Sequence, residues 1–378
     1  MSQAGFPASL YAGVWTCVLC IAEPVAIVLY LIVIGTPKNA KRISDDLQRA
    51  GVVNDVDEPP ILIERKLDLH NPTIEILVFQ TVGIPFDIWA EKQLAIESAL
   101  NAFVVKVQEG RARNQVMLSI VCSEGAFPQI AFWNEQYNSD NDDVLILGVT
   151  AAGTQVTADL SQIPHMLIGG SSGSGKSVLM GLLLHQALTK GMELYIADFK
   201  GGLDYNGSPW KGECEINTTI DSVTYTLDSI VIELNRRKQL LYDAECKNIN
   251  EYNDKCEGSL HRIVFGCDEL AELTDKAGIT DKEHKAKIDH VIGQLSTIAR
   301  QGRALGIHLI LATQRPDANV LPGQIKNNID FRACGRADNT LAMIILDNAD
   351  AAEKLPKDGH RFMLHDGTIF LPYFWSDK

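Results

Sequence analysis

Residues 10–34 are apolar at almost every position, interrupted only by Glu23-Pro24. A run of that length crosses a hydrocarbon core of roughly 30 Å, with a kink at the proline. It predicts one transmembrane helix rather than a buried core helix. A charge near mid-membrane costs on the order of 3 kcal/mol on insertion scales, which the surrounding Leu, Ile and Val residues offset. No Lys or Arg precedes the run, unlike the basic start of a cleaved signal peptide. Lys38, Lys41 and Arg42 follow it, so the positive-inside rule leaves everything downstream in the cytoplasm. The expectation is a single-pass cell-membrane anchor over residues 1–42.

The pattern then changes. A short polar helix over 43–57 and the linker signal Glu58-Pro59-Pro60 lead to alternating strands over 61–67 and 74–81. A turn at Pro85, a helix over 87–102 and strands over 103–107 and 115–122 follow. This predicts a small α/β domain over 43–140, closed by a polar stretch rich in Asn and Asp at 133–143. It carries no nucleophile, metal or phosphate signature.

From 141 to 378 apolar strands alternate with helices. A hairpin over 144–149 and 154–160 leads to a buried strand at 166–168. Strands over 193–199, 262–267 and 307–313 are separated by helices over 221–248 and 282–305. Such alternation predicts a mainly parallel sheet with both faces covered. Ligands sit at the carboxyl ends of strands in that architecture, so the residues just past each strand carry the chemistry.

Past the first of these strands runs Gly170-Ser171-Ser172-Gly173-Ser174-Gly175-Lys176-Ser177, followed by an apolar helix. Strand, glycine-rich turn and helix with the spacing GxxxxGK[ST] define a phosphate-binding loop. The glycines let backbone amides turn inward as an anion nest, and the helix N-terminus adds partial positive charge. Lys176 is expected to reach the β- and γ-phosphates of ATP, and the Ser177 hydroxyl to bind Mg²⁺. The strand over 262–267 ends in Asp268-Glu269. Asp268 is the expected partner of Mg²⁺, and Glu269 the group that activates the attacking water. Gln314 ends the next strand, where it is expected to touch the γ-phosphate or its water. Arg300 and Arg303 lie near a helix C-terminus, a position the dipole favours for cations without any further role.

Composition changes this picture little. The 378 residues, 46% hydrophobic and 22% charged, are those of a globular chain with room for two or three domains. A net charge of −14 means that any nucleic-acid contact comes from local basic groups or from a pore built by several subunits. Of eight cysteines, Cys17 and Cys20 form a CxxC inside the apolar run, without histidine partners. The other six show no ligand spacing, so no zinc site is expected and a reducing compartment fits.

Three further strings carry a resemblance: Gly302 through Pro316 (GRALGIHLILATQRP), Asn327 through Arg332, and Ala352-Glu353-Lys354-Leu355 ahead of Gly359. With the phosphate loop and Cys267-Asp268-Glu269, they resemble the FtsK/SpoIIIE family of DNA-pumping ATPases over roughly residues 144–373. One span, a small α/β domain and this motor together resemble the coupling ATPases of Gram-positive conjugative plasmids and integrative elements. The resemblance implies a RecA-like motor over 141–378 that forms a homo-hexameric ring around duplex or single-stranded DNA. It implies an arginine acting on a neighbour's site, Arg332 first and Arg336 second, and a sensor lysine at Lys354. A relaxase and type IV secretion channel components are the implied partners. Family members that segregate chromosomes carry several spans, a long linker and a C-terminal winged helix; here one span is read and the sequence stops at Lys378. Asp338-Asn339-Thr340 stands where the family has a serine-arginine pair. The favoured reading is a membrane-anchored DNA translocase of conjugation. The alternatives are an ATPase that energises protein secretion, a chromosome-segregation translocase, and an ATP-binding scaffold without turnover.

Overall fold

The computed structural model describes residues 37–122, 127–256, 260–315, 320–357 and 359–376. The expected membrane span lies outside the described residues, and among those described no helix is long and apolar enough to cross a membrane. The chain divides into two compact units, one ending at residue 126 and the other beginning at Phe127.

In the first unit, helix α1 (Ala40–Arg49) precedes a four-stranded antiparallel sheet. The strands are β1 (Ile61–Leu67), β2 (Glu75–Gln80), β3 (Ala102–Glu109) and β4 (Gln115–Cys122), in spatial order β1-β2-β4-β3. Val116, Leu118 and Ile120 of β4 alternate inward, the period-2 signature of a sheet buried on one face. They meet Leu47, Leu77, Phe79, Trp89 and Ile96 in one core. The single helix expected over 87–102 is two, α2 (Asp87–Glu91) and α3 (Gln93–Leu100), divided at Lys92. The second ends at Asn101 in left-handed backbone (φ 49°), a geometry asparagine tolerates, and β3 begins at the next residue.

The second unit is built on one large mixed sheet. Strands β5 (Ala131–Phe132), β6 (Val144–Thr150), β7 (Gln155–Asp159), β8 (His165–Gly169) and β9 (Glu193–Ala197) come first in the chain. They are followed by β10 (Glu215–Asn217), β11 (Ile263–Cys267), β12 (Ile307–Thr313), β13 (Phe331–Cys334), β14 (Phe362–Leu364) and β15 (Ile369–Phe374). Their order is β10-β9-β11-β12-β8-β13-β14-β15-β6-β7, with β5 paired to β15. The first six run parallel. From β13 onward the path turns antiparallel through β14, β15, β6 and β7. The parallel half expected from the alternating pattern thus carries an antiparallel wing.

Both faces of the parallel half are buried, so its strands read as unbroken apolar runs. Leu167, Phe265, Leu309 and Leu311 point to one face, where α5 (Ile220–Asp243), α8 (Lys282–Leu305) and α10 (Asn339–Leu346) pack. Met166, Ile168, Val264 and Ile310 point to the other, against α4 (Lys176–Thr189). Short helices α6 (Ile249–Lys255), α7 (Ala271–Thr274), α9 (Gly323–Lys326) and α11 (Asp350–Lys354) complete the unit. Close packing decides some positions. A side chain at Gly302 would stand 2.3 Å from the Ile307 carbonyl, so α8 passes β12 only with glycine there.

Candidate active site

The loop between β8 and α4 is shaped by its glycines. Gly173 and Gly175 have φ of 74° and 95°, and a Cβ at Gly170 would press to 2.4 Å from the Ser174 hydroxyl. Backbone from the neighbouring strand anchors the loop, with Gly335 N–H donating to the Gly169 carbonyl and Ser171 N–H to that of Arg336. The Arg336 guanidinium crosses over the loop and donates to the carbonyls of Ser172 (2.8 Å) and Lys357 (3.0 Å). The Ser174 hydroxyl is buried and has no hydrogen-bond partner among the described residues, an orphan donor inside a loop that would wrap phosphate oxygens.

Lys176 opens α4 and is buried. Its Nζ donates to the Asp268 carbonyl and, at 3.0 Å, to Asp268 Oδ1. The Ser177 hydroxyl donates to the same Oδ1 at 3.0 Å. Asp268 stands just past β11, and its other oxygen, Oδ2, accepts from Lys200 Nζ at 2.8 Å. Burial alone would raise the Asp268 pKa; the ammonium groups of Lys176 and Lys200 outweigh it, and the net shift is downward. The group is an anion at neutral pH, as a metal ligand must be.

These residues fit a magnesium ion. Ser177 Oγ and Asp268 Oδ1 lie 3.0 Å apart, about the edge of an octahedron whose metal–oxygen bonds are roughly 2.1 Å long. Such an ion takes the remaining ligands from water and phosphate, so two protein oxygens suffice.

Glu269 faces the end of β12. Its Oε1 accepts from the Thr313 hydroxyl at 2.8 Å, and its Oε2 from Gln314 N–H at 3.2 Å. Gln314 meets Glu269 through its backbone, and its side chain is exposed and makes no hydrogen bond among the described residues. Arg315 ties the same strand end to Glu272 (3.0 Å) and Asp275 (2.9 Å). Beside the first turn of α4 is an apolar pocket of about 150 Å³, with Val178, His360, Leu371, Pro372 and Phe374 on its walls. Its place next to the phosphate loop suits a nucleoside base.

The other sequence candidates lie apart from this cluster. Arg332, on β13, is paired with Asp347 and donates to the Ile329 carbonyl at 2.8 Å. Lys354, on α11, bonds Asp350 one turn back at 2.9 Å. Lys200 and Thr313 reach the site without having been singled out from the sequence. For Lys200 the available signal was its place at a strand end, in Asp198-Phe199-Lys200.

A glycine-rich loop after a central parallel strand, with Lys176 and Ser177 on the aspartate of a second strand, defines a P-loop ATPase. A match to the FtsK/SpoIIIE family covers residues 130–259. The pCW3 conjugation coupling protein TcpA, solved in monomer form with ATPγS, shares 33% identity at a TM-score of 0.67, over 90% of this chain and 96% of that one. The chain belongs to the FtsK/SpoIIIE family. DNA translocase FtsK of Campylobacter jejuni is 34% identical over 242 residues, 61% of this chain but 24% of that protein's length. Its Listeria monocytogenes counterpart is 27% identical over 352 residues, covering 87% of this chain and 44% of that protein. The cytoplasmic domain of the Thermomonospora curvata type VII secretion ATPase EccC shares the fold over 67% of this chain and 30% of that one, at 23% identity and a TM-score of 0.53.

Proposed function

We propose that this protein is a membrane-anchored conjugative coupling ATPase that uses ATP hydrolysis to move DNA toward a transfer channel. The observation that supports this reading is the 33% identity to a conjugation coupling protein along 90% of this chain and 96% of that one. The Lys176–Asp268–Ser177 constellation supplies the engine.

ATP enters with its phosphates in the loop over 170–175. Lys176 leaves Asp268 for the β- and γ-phosphates, an exchange of one anion for a more highly charged one. Ser177 and Asp268 would hold Mg²⁺, which would supply neutralising charge to the phosphate oxygens. Glu269 accepts the proton of the attacking water. In the ring, Arg332 gives up Asp347 to complete a neighbour's site, with Arg336 the other residue proposed for that part, and Lys354 senses the nucleotide. Residues 1–42 anchor the chain in the cell membrane, the rest of the unit ending at residue 126 is the small domain, and the unit beginning at Phe127, rather than at residue 141, is the cytoplasmic motor. A relaxase and channel components are its partners.

DNA binding tests the reading. Fluorescence anisotropy with labelled duplex and single-stranded DNA should show binding that tightens with ATPγS and weakens steeply as salt rises. Binding of a secreted protein instead of either DNA would replace this reading with that of a secretion motor of the same family.

A further inference from the structure

Lys200 is aimed at Asp268 by a turn built for the purpose. Just past β9, the buried carboxylate of Asp198 accepts from Lys200 N–H at 2.9 Å and from Asp204 N–H at 3.4 Å. Gly201 and Gly202 follow in left-handed backbone (φ 83° and 75°), which reverses the chain within two residues. Tyr205 then buries itself against Trp210, with ring centroids 5.3 Å apart. The turn is fixed at both ends, and it carries the Lys200 ammonium group. That group reaches across to the neighbouring strand and donates to Asp268 Oδ2 at 2.8 Å and to Asp204 Oδ2 at 2.9 Å.

The division of labour on Asp268 is informative. Oδ1 faces Lys176 and Ser177, the side on which nucleotide and metal would arrive, whereas Oδ2 is held, among the described residues, by Lys200. When Lys176 moves to the phosphates, Lys200 is left as the cation on this carboxylate. The Asp268 side chain is 4% exposed while that of Lys200 is 51% exposed, so an open-sided cation is spent on a closed-in anion.

We propose that Lys200 is a positioning residue of the ATPase: it holds Asp268 Oδ2 throughout the cycle, so that Asp268 offers Oδ1 alone, at a fixed angle, to the metal beside Ser177. The proposal rests on the reading of Lys176, Ser177 and Asp268 as the nucleotide site. A carboxylate free to rotate could take the metal through both oxygens and draw it away from Ser177. Lys200 pairs with both Asp268 and Asp204. Its bond to Asp204, four residues on, suggests the competing role of a brace for the turn.

The experiment compares wild type, Lys200→Met and Lys200→Arg in the full chain, with Mn²⁺ as a paramagnetic substitute that accepts the same oxygen ligands. ATPγS affinity is measured first in EDTA; free Mn²⁺ is then followed by electron paramagnetic resonance as the ATPγS-loaded protein is titrated. Lys200→Met should weaken Mn²⁺ binding at least fivefold while changing metal-free ATPγS affinity less than twofold. Lys200→Arg, which keeps a donor for Oδ2, should recover at least half of the loss. Unchanged Mn²⁺ affinity in Lys200→Met overturns the proposal. So does a parallel loss of metal-free ATPγS affinity or of apo thermal midpoint that Lys200→Arg repairs, because that is the signature of a brace. A wild-type chain that binds no ATPγS would instead remove the nucleotide site itself.

Discussion

Mild acid should weaken the second unit through two buried histidines. His165 on β8 and His308 on β12 are 1% and 0% exposed. Leu309 N–H donates to His165 Nδ1 at 3.0 Å, so that ring carries its proton on Nε2, which is buried on the side of the Ala299 backbone. His308 Nε2 faces the Arg262 guanidinium at 3.1 Å and must accept, leaving Nδ1–H to donate to the Pro164 carbonyl at 2.9 Å. Both rings are therefore held neutral. Burial, then the charge of Arg262, pushes His308 down to about 3; burial pushes His165 down to about 4. In the unfolded chain each titrates near 6.5. Below that pH the unfolded chain takes up protons that the folded one refuses until pH 3 to 4. Stability is thus full above about pH 6.5 and falls as pH drops toward the folded values. At pH 5 the gap is about 1.5 pH units, worth about 2 kcal/mol for each ring and about 4 kcal/mol for the pair. That is a large share of a typical 5–15 kcal/mol. Asp143, bound to Arg262 through both oxygens and lowered in pKa despite its burial, loses its contribution only below about pH 4, outside this window. The assay is urea unfolding followed by tryptophan emission between pH 7.5 and pH 5. A stability that stays level across that range refutes the reasoning. So does a His165→Gln/His308→Gln double variant that keeps the full pH slope.

Lys176→Ala should abolish ATPγS binding, or slow turnover by roughly 10²-fold or more where binding survives; near-normal turnover would place the phosphates elsewhere. Glu269→Gln should still bind ATP yet hydrolyse it on the order of 10²-fold more slowly, and full activity in rapid-quench measurements would remove Glu269 from proton transfer. Gly302→Ala, whose methyl meets a backbone carbonyl, should cost about 1–3 kcal/mol; an unchanged thermal midpoint would show that α8 can give way. On the ring reading, Arg332→Ala mixed with wild type should poison activity beyond its share of subunits, and a strictly proportional loss would say that the arginine acts within its own chain.

The parts of this molecule legible in the sequence are those written in local periodicity. Met166, Leu167 and Ile168 are consecutive apolar residues because β8 is covered on both faces, and the glycine spacing after them is the loop itself. The antiparallel wing was hidden because its strands come from opposite ends of the unit: β15, near the end of the chain, pairs with β6 near the unit's start. No window of neighbouring residues carries that pairing. The break at Lys92 was hidden for a similar reason, since Trp89 and Ile96 suit one continuous helix as well as two. Lys200 and Arg336 were hidden in another way. Each acts through a long side chain whose target, Asp268 or Ser172, is set by the tertiary fold and not by spacing. Arg336 was considered from the sequence only for a neighbour's site, whereas within its own chain it spans the phosphate loop.

The central claim is that turnover at Lys176 and Asp268 drives DNA movement, and steady-state ATP hydrolysis by the full chain measures its first requirement. The rate should rise several-fold with duplex or single-stranded DNA, fall back as salt is raised, and vanish with Lys176→Ala. A rate that stays the same with no DNA, single strands and duplex would contradict it.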